Sequence, residues 1–324
     1  LLLLFIAYTM TALIGRELGG PAVGLLTLGI LCLLWPLDDL AAQPISEPAF
    51  LAFAAAGVWA SIRALERDSR MLAVTAGAAF AAATYMRPIT LLFPIFLTAG
   101  MLVFRRRAWR MALTLAVIHT LLVLPWIARN HSVCGKIVPM VANWGPAFFL
   151  TSEESWQTYY FEGSGKSRES TEFLAITGNE SEFNCGPAER IRQETLKRIA
   201  AAPGAYLWRG VRQTAYAWSY LPGFRSARNP RSPEFWFVRI PMLAFYLAFG
   251  YGAFRLFRRR PMAPLVIAAF VVFTAIIHLP VCIQARYLVP AYIVMLPLAI
   301  IGIHHAFRDF RGDGPSDPVG QLRR

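Results

Sequence analysis

Long apolar runs separated by short polar connections dominate this chain. They fall at about 1–15, 21–37, 48–62, 71–86, 88–104, 111–128, 236–254, 261–280 and 287–306, each near the roughly 17–25 residues with which a helix spans the hydrocarbon core of a bilayer. The pattern predicts an all-α, polytopic transmembrane bundle of about nine spans with one insertion. Residues 1–128 read as an N-terminal membrane unit of six spans and 236–306 as a C-terminal one of three, with a loop at 129–235 between them and a polar tail at 307–324.

Inside the insertion the pattern changes twice. From Asn130 to Pro187 the chain is rich in Gly, Ser, Glu and aromatic residues, Trp144 and Trp156 among them, without a sustained period, and reads as an irregular loop. From Ala188, apolar residues at Ile191, Leu196, Ile199 and Ala200 recur at helical spacing until Pro203-Gly204. A second amphipathic stretch, Ala205 to Tyr220, mixes Tyr206, Leu207, Trp208, Tyr216 and Trp218 with Arg209 and Arg212, which suits a helix lying at headgroup depth.

Charge adds an orientation. If the spans alternate, one set of connections holds Arg16; Arg63, Arg67 and Arg70; Arg105, Arg106, Arg107 and Arg110; Arg255, Arg258, Arg259 and Arg260; and the tail arginines, while the short loops of the other set hold only Arg87 and Arg286. Basic residues are retained on the cytoplasmic side of short loops, so the first set is expected inside and the insertion outside the cytoplasmic membrane. The net charge of +13 then expresses orientation rather than nucleic-acid affinity, and no basic and aromatic stripe for base stacking occurs. The chain opens Leu1-Leu2-Leu3-Leu4 within an apolar run, with neither initiator Met nor signal-peptide pattern, and the natural protein is expected to extend further upstream.

Cys32 lies in an apolar run; Cys134 and Cys185 both fall in the insertion. An external location permits a disulfide between these two, and two free thiols are the alternative. No CxxC, HxxxH or HExxH spacing is present, so neither metal nor cofactor is predicted.

Ionisable residues near membrane spans are costly and therefore candidates for function. On the side expected to face outward lie Asp38, Asp39, Glu47, Arg87, His278, Arg286 and Tyr287. Guanidinium groups can clamp a phosphate in bidentate fashion, and a carboxylate can take a proton from an attacking hydroxyl. Each residue also has a plainer explanation. Asp38 and Asp39 suit a turn after Pro36, Glu47 suits the first turn of a helix, Arg87 can reach lipid headgroups, and His278 can be an internally bonded core residue.

Three stretches, Pro44-Ile-Ser-Glu-Pro-Ala-Phe-Leu51, Tyr85-Met-Arg-Pro-Ile-Thr90 and Leu124-Pro-Trp-Ile-Ala-Arg-Asn130 with Gly135-Lys-Ile-Val-Pro139, resemble successive landmarks of the bacterial polytopic GT-C glycosyltransferases. That family is related to the dolichyl-phosphate-mannose protein mannosyltransferases and the aminoarabinose transferases. Ala200-Ala-Ala-Pro-Gly-Ala-Tyr-Leu207, leading to Ala217-Trp218, and Ala285-Arg-Tyr-Leu-Val-Pro290 are weaker matches in the same order. The resemblance implies transfer of a sugar from a polyprenyl-phosphate donor to a lipid, glycan or protein acceptor at the outer face of the membrane. It puts Glu47 near the catalytic centre and Arg87 and Arg286, with Tyr287, at the donor phosphate. It also implies that the principal carboxylate sits in a first outward loop that would precede Leu1; Asp38 or Asp39 could substitute as the catalytic carboxylate, although they match no base position of the family. A non-catalytic assembly or binding subunit and a secondary transporter are the other classes compatible with the residues.

Overall fold

The computed structural model describes residues 1–34, 46–106, 108–138, 185–219, 233–280 and 285–311. Among these residues the chain is helical, with no strand. The helices are α1 (Leu2–Gly19), α2 (Pro21–Leu33), α3 (Glu47–Arg67), α4 (Arg70–Met86), α5 (Phe93–Phe104), α6 (Trp109–Cys134), α7 (Cys185–Ala201), α8 (Pro203–Trp218), α9 (Pro233–Phe257), α10 (Met262–Ile277) and α11 (Val289–Phe310). Short 3₁₀ turns at Pro88–Thr90 and Ala285–Leu288 precede α5 and α11.

Five of these helices are long and apolar enough to cross a membrane: α1, α3, α6, α11 and, over Trp236–Phe257, α9. The apolar segments Pro21–Leu33, Pro88–Phe104 and Met262–Ile277 are shorter. Each of the nine apolar runs contains helix, and in the run at 88–104 the 3₁₀ turn Pro88–Thr90 takes up the first residues before α5.

The chain forms two compact units. The first comprises Leu1–Val123, Tyr220–Phe273 and Val289–Arg324; the second comprises Leu124–Ser219 and Thr274–Leu288. The second unit thus takes in α7 and α8 of the expected insertion together with the end of α6 and the connection before α11, whereas Tyr220 onward falls in the first unit.

In the first unit α1 packs on α2 and α3, α3 on α4, and α9 on α11. Gly20, at φ 85°, closes α1, and Pro21 opens α2 without sacrificing a backbone hydrogen bond. Asp68, at φ 51°, closes α3 in the left-handed conformation, and Ser69 Oγ accepts the Leu72 amide at 3.4 Å, so α3 and α4 form a tight antiparallel pair. The core is aromatic where α4, α5 and α10 meet. Phe93 lies 4.9 Å from Phe80, 5.2 Å from Phe270 and 5.5 Å from Phe273 between ring centroids.

The two ends of α3 differ in chemistry. At its C-terminal end Glu17 of α1 meets Arg67 and Arg260 at 3.5 Å each and Arg63 at 3.9 Å, while Arg260 also reaches Glu66 and the Glu17 carbonyl at 2.5 Å. Single exposed pairs contribute little, but Arg260 ties three elements in one network. Its 21 residues separate that network from Glu47 by about 30 Å along the helix axis.

Candidate functional site

Glu47 is the first residue of α3, with Pro48 behind it in the helix's first turn. Arg87 is the extended residue at which α4 stops, since Pro88 disfavours helical backbone in the residue before it. The α3–α4 pair is antiparallel, so these two ends meet: Arg87 Nη2 donates to Glu47 Oε1 in a charge-assisted hydrogen bond. Glu47 is buried at 4 % exposure. A carboxylate at that depth is sustained by a partner charge, and the pair joins residues 40 apart in sequence.

A second set of polar groups braces the same turn. Thr84 Oγ1 donates to the Phe80 carbonyl at 2.8 Å, and it lies 3.0 Å from Thr90 Oγ1 and 2.9 Å from His119 Nε2. A hydroxyl has one proton, and here the backbone takes it, so Thr84 accepts from both neighbours. His119 therefore carries its proton on Nε2, and Thr90 is the other donor. All three side chains are buried, and Thr84 and Thr90 bracket Arg87 in sequence by three residues on each side. Tyr85 adds a bond to the Leu122 carbonyl at 2.8 Å. Sequence reasoning passed over this network; an ionisable His119 within the apolar run 111–128 was the available signal.

The second unit is tied by its own contacts. Cys134 ends α6 and Cys185 begins α7, and the two form a disulfide with Cα atoms 5.6 Å apart. Just after Cys134, Gly135 turns the chain at φ 64°, and Asn130 Nδ2 donates to the Val138 carbonyl at 3.1 Å. The landmark Leu124–Asn130 with Gly135 is thus a helix end whose turn needs a residue tolerant of the left-handed region. Beside the disulfide, Glu189 accepts from Arg192 at 2.6 Å and lies 3.9 Å from Lys136. The Arg192 hydrogen bond, helped by Gln193 and Lys136, holds its carboxyl down at about 2.

Helix α8 turns a face bearing Tyr206, Gly210 and Gln213 inward, and it packs on the 3₁₀ turn Ala285–Leu288. The Tyr206 hydroxyl donates to the Pro280 carbonyl, and burial pushes that phenol above its usual range. His278 is buried with Nδ1 2.6 Å from the Thr274 carbonyl, so Nδ1 carries the proton. Its ring stacks on Tyr287 at 6.1 Å. The plain explanation of His278, an internally bonded core residue, accounts for that contact.

The structure thus brings Glu47 and Arg87 together in the first unit and sets Tyr287 against His278 in the second. Arg286 falls in the 3₁₀ turn, and its side chain is not among those described. Asp38, Asp39, Trp144 and Trp156 lie outside the described residues. Among the described residues, no three His, Cys, Asp or Glu side chains gather as metal ligands would. No family model matches the chain, and no curated protein or solved structure is significantly similar to it.

Proposed function

We propose that this chain acts as a membrane glycosyltransferase of the GT-C kind, with about nine spans, moving a sugar from a polyprenyl-phosphate donor to an acceptor hydroxyl at the outer face of the cytoplasmic membrane. The observation that carries the reading is the pairing of buried Glu47 with half-buried Arg87. Two residues that the resemblance assigns to one site lie side by side, at the end of α3 opposite the arginine network. The Cys134–Cys185 disulfide supports an external second unit, since such bonds persist in oxidising compartments.

In the reaction, the acceptor oxygen bonds to the anomeric carbon as the bond from that carbon to the phosphate oxygen breaks. The electron pair leaves with the lipid phosphate, and the hydroxyl proton passes to a carboxylate. Glu47 has Oε1 engaged by Arg87, so it serves as a positioning residue. The fixed charge of Arg87 suits the phosphate that departs.

Turnover of a polyprenyl-phosphate sugar donor tests this. Glu47→Gln and Arg87→Gln should each lower transfer by about 10²-fold or more, and Arg87→Gln should also destabilise the fold, because it takes the paired charge away from buried Glu47. The double variant removes both charges. It should regain thermal stability while remaining inactive. If turnover returns together with stability, the pair is only a structural tie and the site assignment fails.

A further inference from the structure

We propose that the inward face of α8 carries a binding site for an acidic saccharide, independent of the transferase reading. Gln213 is fully buried, at 0 % exposure, and neither its amide nitrogen nor its amide oxygen has a hydrogen-bond partner. Beside it Thr214 is buried with an unpartnered hydroxyl, and Arg209, one turn earlier and half-buried, has an Nε that is enclosed and unpartnered. Positions 209 and 213 lie one above the other on a helix, and Tyr206, Gly210 and Ala217 continue the same face. Burial of polar groups without partners is costly, so a set of them gathered on one face points to a ligand that supplies the missing bonds.

The fold keeps these groups from finding partners of their own. Thr11, Thr27, Thr84, Thr98 and Thr195 each donate to the carbonyl four residues back in their helices. The Thr214 hydroxyl is not used in that way. Two contacts hold α8 in its seat: the Tyr206 hydroxyl donates to the Pro280 carbonyl, and Gly210 packs so closely that a Cβ there would collide with the Leu279 carbonyl. Rotation of the helix therefore cannot turn Gln213 out to water. The Arg209 charge acts on the Tyr206 phenol against the upward push of burial, which sets this cation on the same face.

The mixture of atoms selects the ligand. Gln213 offers two N–H donors and an acceptor, Thr214 a donor and an acceptor, and Arg209 a charged donor. Neighbouring ring hydroxyls of a sugar donate and accept at adjacent positions, as the two ends of the amide require, and a carboxylate on the ring meets the guanidinium. A carboxylate without hydroxyls brings no donor for Gln213 Oε1, and a neutral sugar brings no charge to Arg209.

Isothermal titration and thermal unfolding of the full chain, in a detergent without a sugar headgroup, compare sodium glucuronate, glucose and sodium acetate. Glucuronate should raise the unfolding temperature and bind about tenfold more tightly than either of the others, since a charge-assisted hydrogen bond is strong enough to add a decade of affinity. Gln213→Met keeps the length of the side chain without its polar atoms. Free of ligand, it should unfold at the same or a higher temperature than the unaltered protein, and its response to glucuronate should be lost. Arg209→Gln should bind glucuronate no better than glucose. Equal binding of acetate or glucose and glucuronate by the unaltered protein overturns the proposal, as does the absence of glucuronate binding or its persistence in Gln213→Met. A lower unfolding temperature in Gln213→Met would show that the amide is bonded within the fold and would also overturn it.

Discussion

Thr84 spends its one proton on the Phe80 carbonyl and both lone pairs on side chains, so this single hydroxyl satisfies two other buried groups. Replacement by Val keeps the shape and removes both acceptances. An unsatisfied buried polar group costs about 1–3 kcal/mol, so Thr84→Val should lose at least that much in thermal unfolding, whereas Thr84→Ser should lose little. Thr98 is the matched control: it is buried and bonds at 2.8 Å, but only to the Pro94 carbonyl of its own helix. Equal losses in Thr84→Val and Thr98→Val would show that the contacts to Thr90 and His119 add nothing. Neither threonine stands out in the sequence, because a back-bonding hydroxyl in an apolar helix looks the same whether or not a neighbouring helix supplies a donor.

Between elements, α9 and α11 approach through small residues at reciprocal positions. A Cβ on Gly252 would lie 1.9 Å from the Leu298 carbonyl oxygen, and one on Gly302 would lie 1.9 Å from that of Ala248. The obstacles are backbone atoms, which no rotamer change relieves. Close backbone approach of this kind drives helix association in lipid, where apolar surface alone favours neither partner. Gly252→Ala should therefore separate α9 from α11 and destabilise the protein markedly, while Gly250→Ala, with nothing within 4 Å of its added carbon, should be tolerated. Thermal unfolding in detergent compares the two, and equal stabilities would deny the close approach. The sequence reveals Ala248 and Gly252 at i and i+4, but which of the many small residues in these runs meets a partner depends on how each helix is rotated in the bundle.

For the whole molecule, sidedness is the property that arginine counting addresses. Within the first unit the arginines of α3 and the α9–α10 connection gather with Glu17 and Glu66 at one end of α3, and Arg87 lies with Glu47 at the other. Reporters fused after Arg67 and Arg259 should read cytoplasmic, and one near Asn179 should read external. An external signal after Arg67 would reverse the orientation. The same sidedness leaves Cys134 and Cys185 oxidised in cells, so alkylation of denatured, unreduced protein should label Cys32 alone among these three.

Hydropathy by itself determined that the chain is helical and apolar enough to enter a membrane, because the length of a run and the period of its side chains are local properties. It also located α7 and α8, whose amphipathic spacing is equally local. The Pro after Glu47 and the Pro after Arg87 marked the helix ends at which those residues sit. Local pattern is silent on pairing. That Glu47 meets Arg87, that His119 reaches Thr84, and that Cys134 bonds Cys185 across a separation of 51 residues all depend on which helices stand side by side. Of the nine runs, five form helices long and apolar enough to cross a membrane, and three form shorter apolar helices. Tertiary structure decided these points because the cost of a buried charge or donor is set by what the neighbouring helix offers it, and no property of the residue alone records that neighbour.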